Sequence, residues 1–261
     1  MTSSEPACAT ARRLPRVSVI TVCFNPGPVV LHAIESVQRQ DYASIEHIVV
    51  DGGSTDGSAE LIRSRLREGD VFVSEPDEGI YDAMNKGIRL ATGDIIALLN
   101  ADDRYAHEGV VSRFINVFLS QAVDCVIGDV AFFRGQPQNI VRRYNSGAFR
   151  PSRIRWGLMP AHPALILRKA TYDRLGLYRT DYRIAADYEF VARAFGKGQT
   201  SYVYVPEVFV LMAVGGVSTR GSQARRIINR ESVRACRDNG IYTNLPMITF
   251  KYFFKVLELI Q

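Results

Sequence analysis

Asp51 ends the segment IEHIVVD, and Asp102 and Asp103 follow the apolar run DIIALLN. An apolar run that stops at paired carboxylates reads as a buried strand reaching a surface. Carboxylates gathered on one edge repel phosphates unless a hard cation lies between them. Mg2+ and Mn2+ are held by one or two carboxylates together with phosphate oxygens. An Asp-Asp pair at a strand end therefore reads as a metal bridge to a diphosphate. The plainer alternative is that Asp102 and Asp103 only terminate a strand and cap the helix after it.

The acids share a site only if the fold brings their strands to one edge. VSVITVC (17–23) predicts a first strand, with a helix after Pro28. IEHIVV (45–50) predicts a second strand, and Ser54 to Asp56 offer caps for a helix through about Arg67. VFVS (71–74) reads as a third strand. Ile80, Ala83, Met84, Ile88 and Ala91 have helical spacing up to Gly93, and DIIALLN (94–100) is the fourth strand. Strands alternating with helices predict an α/β fold with a doubly wound, mostly parallel, Rossmann-like sheet. Ligands bind such sheets at the carboxyl ends of the strands. Phe24-Asn25, Asp51 and Asn100 to Asp103 stand at those ends.

The second half is less regular. Residues 124–133 predict a strand, and the stretch to about Pro163 reads as loops and short strands. Helices are expected at 170–175, 186–195 and 220–238, and strands at 201–205 and 208–214. The tail TFKYFFKVLELI (249–260) reads as an apolar-aromatic helix. The expected organisation is a flexible segment 1–15, a main domain 16–215 split near 104 into a nucleotide-binding half and an acceptor half, and a helical extension 216–261.

Composition excludes several classes. The chain has 261 residues, 47% hydrophobic and 23% charged, with 20 Gly and 11 Pro. Those are ordinary globular values, not those of a disordered, collagenous or coiled-coil protein. Cysteines at 8, 23, 125 and 236 are too scattered for a zinc or redox motif and read as reduced thiols. MTSSEPACATARRLPR has no apolar stretch of the signal-peptide kind. The longest uncharged run, Val17 to Ile34, is broken by Asn25-Pro26-Gly27-Pro28, so no membrane span is expected. The expectation is a cytoplasmic protein, soluble or peripheral. The net charge of +5 is unevenly spread: Val130 to Tyr172 carries eight cations and no acid. Such asymmetry points to an anionic partner for one part of the molecule. No G-x-G-x-x-G follows the first strand, where CFNPGPVV stands, and no P-loop occurs anywhere, which argues against dinucleotide and P-loop enzymes.

VSVITVCFN, HIVVDGGSTDGS and GIYDAMNKGIRLATGDIIALLNADD resemble the first hundred residues of glycosyltransferase family 2, inverting enzymes of the GT-A fold. The likeness runs on through PAHPALILRKATYDRLGLY and YRIAADYEFVAR, covering roughly residues 16–215, with a flavour of the bacterial colanic-acid-type transferases that build polysaccharides and glycolipids. It implies a nucleotide-diphosphate sugar donor, a glycan or lipid-linked acceptor, and Mn2+ or Mg2+ as cofactor. Phe24 stands where the family often stacks an aromatic on the base, and Asn25 follows as the family's Asn does. Thr21 falls among the nucleotide contacts. Asp51 matches the first acid of the turn that touches base and ribose, whereas Gly52 departs from members with a second acid there. Asp102 and Asp103 match the D-x-D-like element, with Asn100 in place of its first acid. The resemblance implies Asp103 as the foremost metal ligand and Asp102 near ribose or metal. Asp187 matches the catalytic base. Inversion needs one carboxylate to take the acceptor hydroxyl's proton.

Other residues keep two readings. Asp187 could instead be a helix N-cap, and Glu189 is the rival base, facing the other way on a helix. His162 could meet acceptor or phosphate, or be structural. Asp82, Asn85 and Lys86 lie on the polar side of the 79–91 helix, where Lys86 could meet a donor phosphate or face solvent. Trp156 could stack on a sugar or pack. His32, His47 and His107 read as structural. The tail could meet a membrane, a second copy in a homodimer, or the body of the protein. A non-catalytic binder of an anionic membrane or nucleic acid is the alternative function. Nucleic acid is disfavoured because the basic stretch lacks RNA-binding aromatic motifs and the acidic edge opposes phosphates.

Overall fold

Four apolar, β-branched segments pair in parallel as β1 (Val17–Cys23), β2 (Ile45–Asp51), β3 (Val71–Ser74) and β4 (Ile95–Asn100). The computed structural model describes residues 13–214 and 221–257. Every residue of β1 is buried, as a central parallel strand covered on both faces requires. Helix α1 (Val30–Gln38) buries Val30, Ala33, Ile34 and Val37, one stripe at helical spacing. Helix α3 (Ile80–Leu90) buries Tyr81, Ala83, Met84 and Ile88. Fully buried Ile20, Ile48 and Ile96 of β1, β2 and β4 share one core with these residues, each contributing about 1.5–3 kcal/mol by leaving water.

The sheet continues through the second half. Strand β5 (Asp103–Tyr105), β6 (Cys125–Phe133), β7 (Ile140–Tyr144), β8 (Leu165–Arg168) and β9 (Tyr202–Ala213) complete nine strands in the order β3-β2-β1-β4-β8-β6-β9-β5, with β7 on β6. Strand β8 runs antiparallel to β4 and β6, whereas β6 and β9 are parallel. The strand runs expected at 201–205 and 208–214 form a single strand. Register shifts around Asp129, opposite the Pro206 region, absorb a proline that cannot donate to the ladder.

Helix α2 (Ser58–Arg63) is shorter than expected, because Ser54 turns back onto Asp51 and Gly57 adopts a left-handed φ of 85°. Strand β5 and α4 (Val110–Ser120) were not anticipated from the sequence. Helices α5 (Lys169–Leu175), α6 (Ala186–Phe195) and α7 (Gly221–Asp238) fall where helices are expected. Helix α8 (Leu245–Leu257) starts before the predicted tail helix. Most of the 1–15 segment, residues 215–220 and the last four residues lie outside the described residues. The side chains of Phe253, Val256 and Leu257, counted above as part of the apolar tail, lie outside them too.

The eight cations of 130–172 do not form one patch. Arg143 pairs with buried Asp129 at 2.6 Å, Arg168 binds the carbonyls of Phe118 and Val123, and Arg142 lies over the Phe132 ring.

Candidate active site

The register aligns the strand ends that carry the polar residues. Cys23 pairs with Asp51, Val22 with Asn100, and Asp51 with Ser74. Their carboxyl ends therefore open on one crevice. Phe24 projects at its rim, 65% exposed, an unusual exposure for a large aromatic next to a buried sheet. Asn25 has a φ of 47°, the left-handed region that Asn tolerates better than most residues. Its backbone N–H donates to Ser54 Oγ at 2.7 Å and its Oδ1 accepts from Thr55 N at 2.8 Å. Asn25 thus clasps the loop after β1 to the loop after β2.

Asp51 is fully buried. Its carboxylate accepts from Ser54 N at 3.0 Å, from Ser74 Oγ at 2.6 Å and from Ser54 Oγ. Burial alone would raise its pKa, but these hydrogen bonds outweigh burial and hold it below the usual value. In this arrangement Asp51 organises the loop from beneath and is not open to a base or ribose. Thr21 also faces inward: it is fully buried in β1, 3.0 Å from His47 Nε2. Its side chain is turned away from the crevice, contrary to the expectation of a nucleotide contact. Burial pushes the His47 imidazole down to about 3, so this pair is a neutral core contact.

The acid pair divides in a way opposite to the expectation. Asp103 is 1% exposed in β5, paired with Met212 of β9, and its Oδ2 accepts from Asn100 Nδ2 at 2.9 Å. Burial, then the charge of Asp102, pushes its carboxyl well above the usual range. Strand β5 turns Asp103 into the protein, so it is not the outward metal ligand. Asp102, half-buried at the tip of β4, is the acid open to the crevice. Among the described residues no three His, Cys, Asp or Glu side chains are grouped to hold a metal ion by themselves. A single outward carboxylate nevertheless fits an ion shared with a diphosphate, since Mg2+ takes one or two protein carboxylates plus phosphate oxygens. The unpartnered buried oxygens Asn100 Oδ1 and Asp103 Oδ1 sit in the same turn.

Asp187 lies in the first turn of α6, half-buried, where an acid favours the helix N-terminus. Its Oδ1 accepts from Tyr188 N at 2.7 Å and from Tyr81 Oη at 3.3 Å. The N-cap position is Ala185, with no side-chain cap, so the alternative of Asp187 as the helix N-cap does not hold. Tyr81, not singled out in the sequence, also donates to the Ile184 carbonyl and joins α3 to the α6 entry. Glu189 is excluded as the base: it is 1% exposed and bound by Arg193 at 2.9 Å, which also reaches the carbonyls of 175–177. A cavity of about 260 Å3 opens beside Tyr81, lined by residues 78–82 and 180–183. A larger one of about 440 Å3 lies at the amino ends of the strands, away from these acids.

His162 is half-buried with Nε2 2.9 Å from Tyr178 Oη, and Tyr178 in turn lies 3.2 Å from Tyr172 Oη. Burial lowers the imidazole's pKa, and the nearby Asp187 charge opposes that. Asn85 is buried rather than on a polar face, clasping the Tyr178 backbone at 2.8 and 2.9 Å. Lys86 Nζ donates to the Pro76 carbonyl at 2.8 Å and pairs with Glu75 at 3.0 Å. It is a strut under the 75–77 loop rather than a cation free for phosphate. Trp156 packs on Phe250, ring centroids 5.6 Å apart.

Sequence reasoning missed the support from the C-terminal helices. Glu231 on α7 accepts the backbone N–H of Arg183, Ile184 and Ala185 at 2.8, 2.9 and 2.9 Å. These amides lead directly into α6, so one carboxylate holds the segment that delivers Asp187. Arg179 and Asp238, 2.8 Å apart, tie down the same segment. Each net hydrogen bond is worth about 1 kcal/mol, and unpaired buried N–H groups cost about 1–3 kcal/mol. Glu231→Ala is expected to lower the melting temperature and to cut turnover about 10-fold or more, because small misplacements of a reacting group are costly. Steady-state kinetics with a thermal melt checks this. Unchanged turnover would show that α7 does not position Asp187.

The mixed, mostly parallel, curled sheet flanked by helices is the fold of the GT-A glycosyltransferases. Residues 18–177 match glycosyl transferase family 2, and the chain belongs to that family. A PGL/p-HBAD biosynthesis glycosyltransferase of Mycobacterium bovis is 30% identical over 230 residues, 84% of this chain and 83% of that protein. A Mycobacterium tuberculosis glycosyltransferase is 33% identical over 190 residues, 69% of each chain. Among solved structures, S. aureus TarS in complex with UDP-GlcNAc matches with a TM-score of 0.63 and 16% identity, over 84% of this chain and 66% of that one. The mannosyltransferase PcManGT of Pyrobaculum calidifontis, in complex with GDP-Man and Mn2+, matches with a TM-score of 0.59 and 20% identity over 94% of this chain and 81% of that one. The protein is a glycosyltransferase acting in glycoconjugate biosynthesis. No helix of the described residues is long and apolar enough to cross a membrane.

Proposed function

We propose that the chain is an inverting, metal-dependent transferase that moves a sugar from a nucleotide-diphosphate donor to a hydroxyl of a glycan or lipid-linked acceptor. The observation that carries this is the division of the acids. Asp102 opens on the donor crevice beside exposed Phe24, whereas Asp187 is half-exposed on α6, held by Tyr81 and the Glu231 clamp. Asp187 would take the proton of the attacking hydroxyl. The new C1–O bond forms as the C1–diphosphate bond breaks, and the diphosphate leaves with that electron pair. A divalent cation beside Asp102 would neutralise the leaving group. Donor hydrolysis or transfer measured with UDP- and GDP-sugars, with Mn2+ or Mg2+, tests the reading. No turnover or donor binding with any of them would overturn it.

Contact with an anionic membrane is the proposed setting of the acceptor. Trp156 (38% exposed), Tyr242 (70%), Leu245 (50%) and Phe250 (45%) cluster where α8 lies on the 3-10 turn Pro151–Trp156. Exposed Arg150 precedes that turn and exposed Arg153 lies within it; both donate to backbone carbonyls of 147–149, and neither has a carboxylate within ion-pair distance among the described residues. Basic residues at an anionic surface are worth about 1 kcal/mol each. Arg150→Glu with Arg153→Glu is expected to weaken co-sedimentation with anionic liposomes by about 10-fold or more at low salt. Binding indifferent to salt and to both substitutions would remove the membrane from this account.

A further inference from the structure

The second position of the loop after β2 is Gly52, where the resembling family often has an acid. Gly52 is buried, and a Cβ placed on it would lie 2.5 Å from Asp77 Oδ2. The Asp77 carboxylate therefore fills the space that a side chain at 52 would occupy. Its other oxygen, Oδ1, accepts from Gly79 N at 2.8 Å, which leaves Oδ2 as the oxygen presented over Gly52. Three further features place this carboxylate at the donor crevice. Gly52 N donates to the Cys23 carbonyl at 2.9 Å, so Gly52 lies beside the residue that precedes exposed Phe24. Lys86 holds the 75–77 loop through the Pro76 carbonyl at 2.8 Å. Asp51, the other acid of this turn, has its carboxylate occupied by Ser54 and Ser74.

We propose that Asp77 selects the donor's nucleobase, its carboxylate accepting an imino N–H of uracil or guanine while Phe24 covers the base's face. The inference rests on the nucleotide-sugar reading of the site. A carboxylate only accepts hydrogen bonds. It suits uracil N3–H and guanine N1–H, and it faces a lone pair at cytosine N3 or adenine N1. A site built around one N–H disfavours ligands lacking it, because the half-buried Asp77 oxygen then faces a lone pair instead of a donor.

Calorimetric titration with UDP, GDP, CDP and ADP, in Mn2+, tests the assignment. Wild-type protein is expected to bind UDP or GDP about 10- to 100-fold more tightly than CDP and ADP, the range of one charge-assisted hydrogen bond. Asp77→Asn keeps an oxygen for Gly79 N but replaces the other with an N–H donor, so that preference should collapse without loss of melting temperature. Asp77→Gly should lose the same affinity, and adding Gly52→Asp should restore it, since the vacated space then receives a carboxylate from β2. A preference that persists in Asp77→Asn and Asp77→Gly overturns the proposal and leaves the transferase reading intact. Failure of the wild-type protein to bind any of the four nucleotides overturns both.

Discussion

Asp187→Asn is expected to reduce transfer about 100- to 10,000-fold, the range for removing a general base, while donor affinity stays within about 2-fold of wild type. The substitution preserves shape and the contact with Tyr188 N, so the helix entry should survive. The loss should fall on turnover, because the proton acceptor acts only as the new bond forms. Glu189→Gln is the matched control. Glu189 is buried against Arg193, so its replacement should lower stability and leave the folded fraction active. Full activity in Asp187→Asn would disprove the assignment.

Removal of the divalent ion is the second large effect. Chelation with EDTA is expected to abolish binding of the nucleotide-diphosphate donor, and Asp102→Ala should do the same at an unchanged melting temperature. Asp103→Ala should behave differently. Its carboxyl is buried and holds the Asn100 amide, so its loss should cost about 1–3 kcal/mol of stability. Calorimetry with and without Mn2+, together with melts of both variants, separates the two acids. Donor affinity unaffected by EDTA would sink the metal role. A metal defect in Asp103→Ala alone, with Asp102→Ala normal, would reverse the division of labour.

Much of the fold was legible in local pattern. The β-branched runs at 17–23 and 45–50 and the apolar run at 94–100 could only be buried strands, and their polar ends marked the crevice before any contact was seen. The spacing of Ile80, Ala83, Met84 and Ile88 placed α3, and the first turn of α6 carried Asp187. Strand β5 was not legible, because three residues carry no periodicity and β9, over a hundred residues away, pairs with them.

The sequence by itself determined the alternation of strands and helices, the strand ends that carry the polar residues and the residue types available there, since hydrophobic period and turn chemistry act over a few neighbours. Tertiary structure alone decided which acid looks outward. Asp102 and Asp103 are adjacent and chemically identical, and only the pairing of Asp103 with Met212 turns one of them inward. It likewise turned Thr21 onto His47, made Lys86 a strut, set Asp77 in the space beside Gly52, and brought Glu231 to three amides some 46–48 residues earlier in the chain. A side chain's partner across such a gap is chosen by packing and by the cost of leaving a buried polar group unpaired, and neither is written in residue type or spacing.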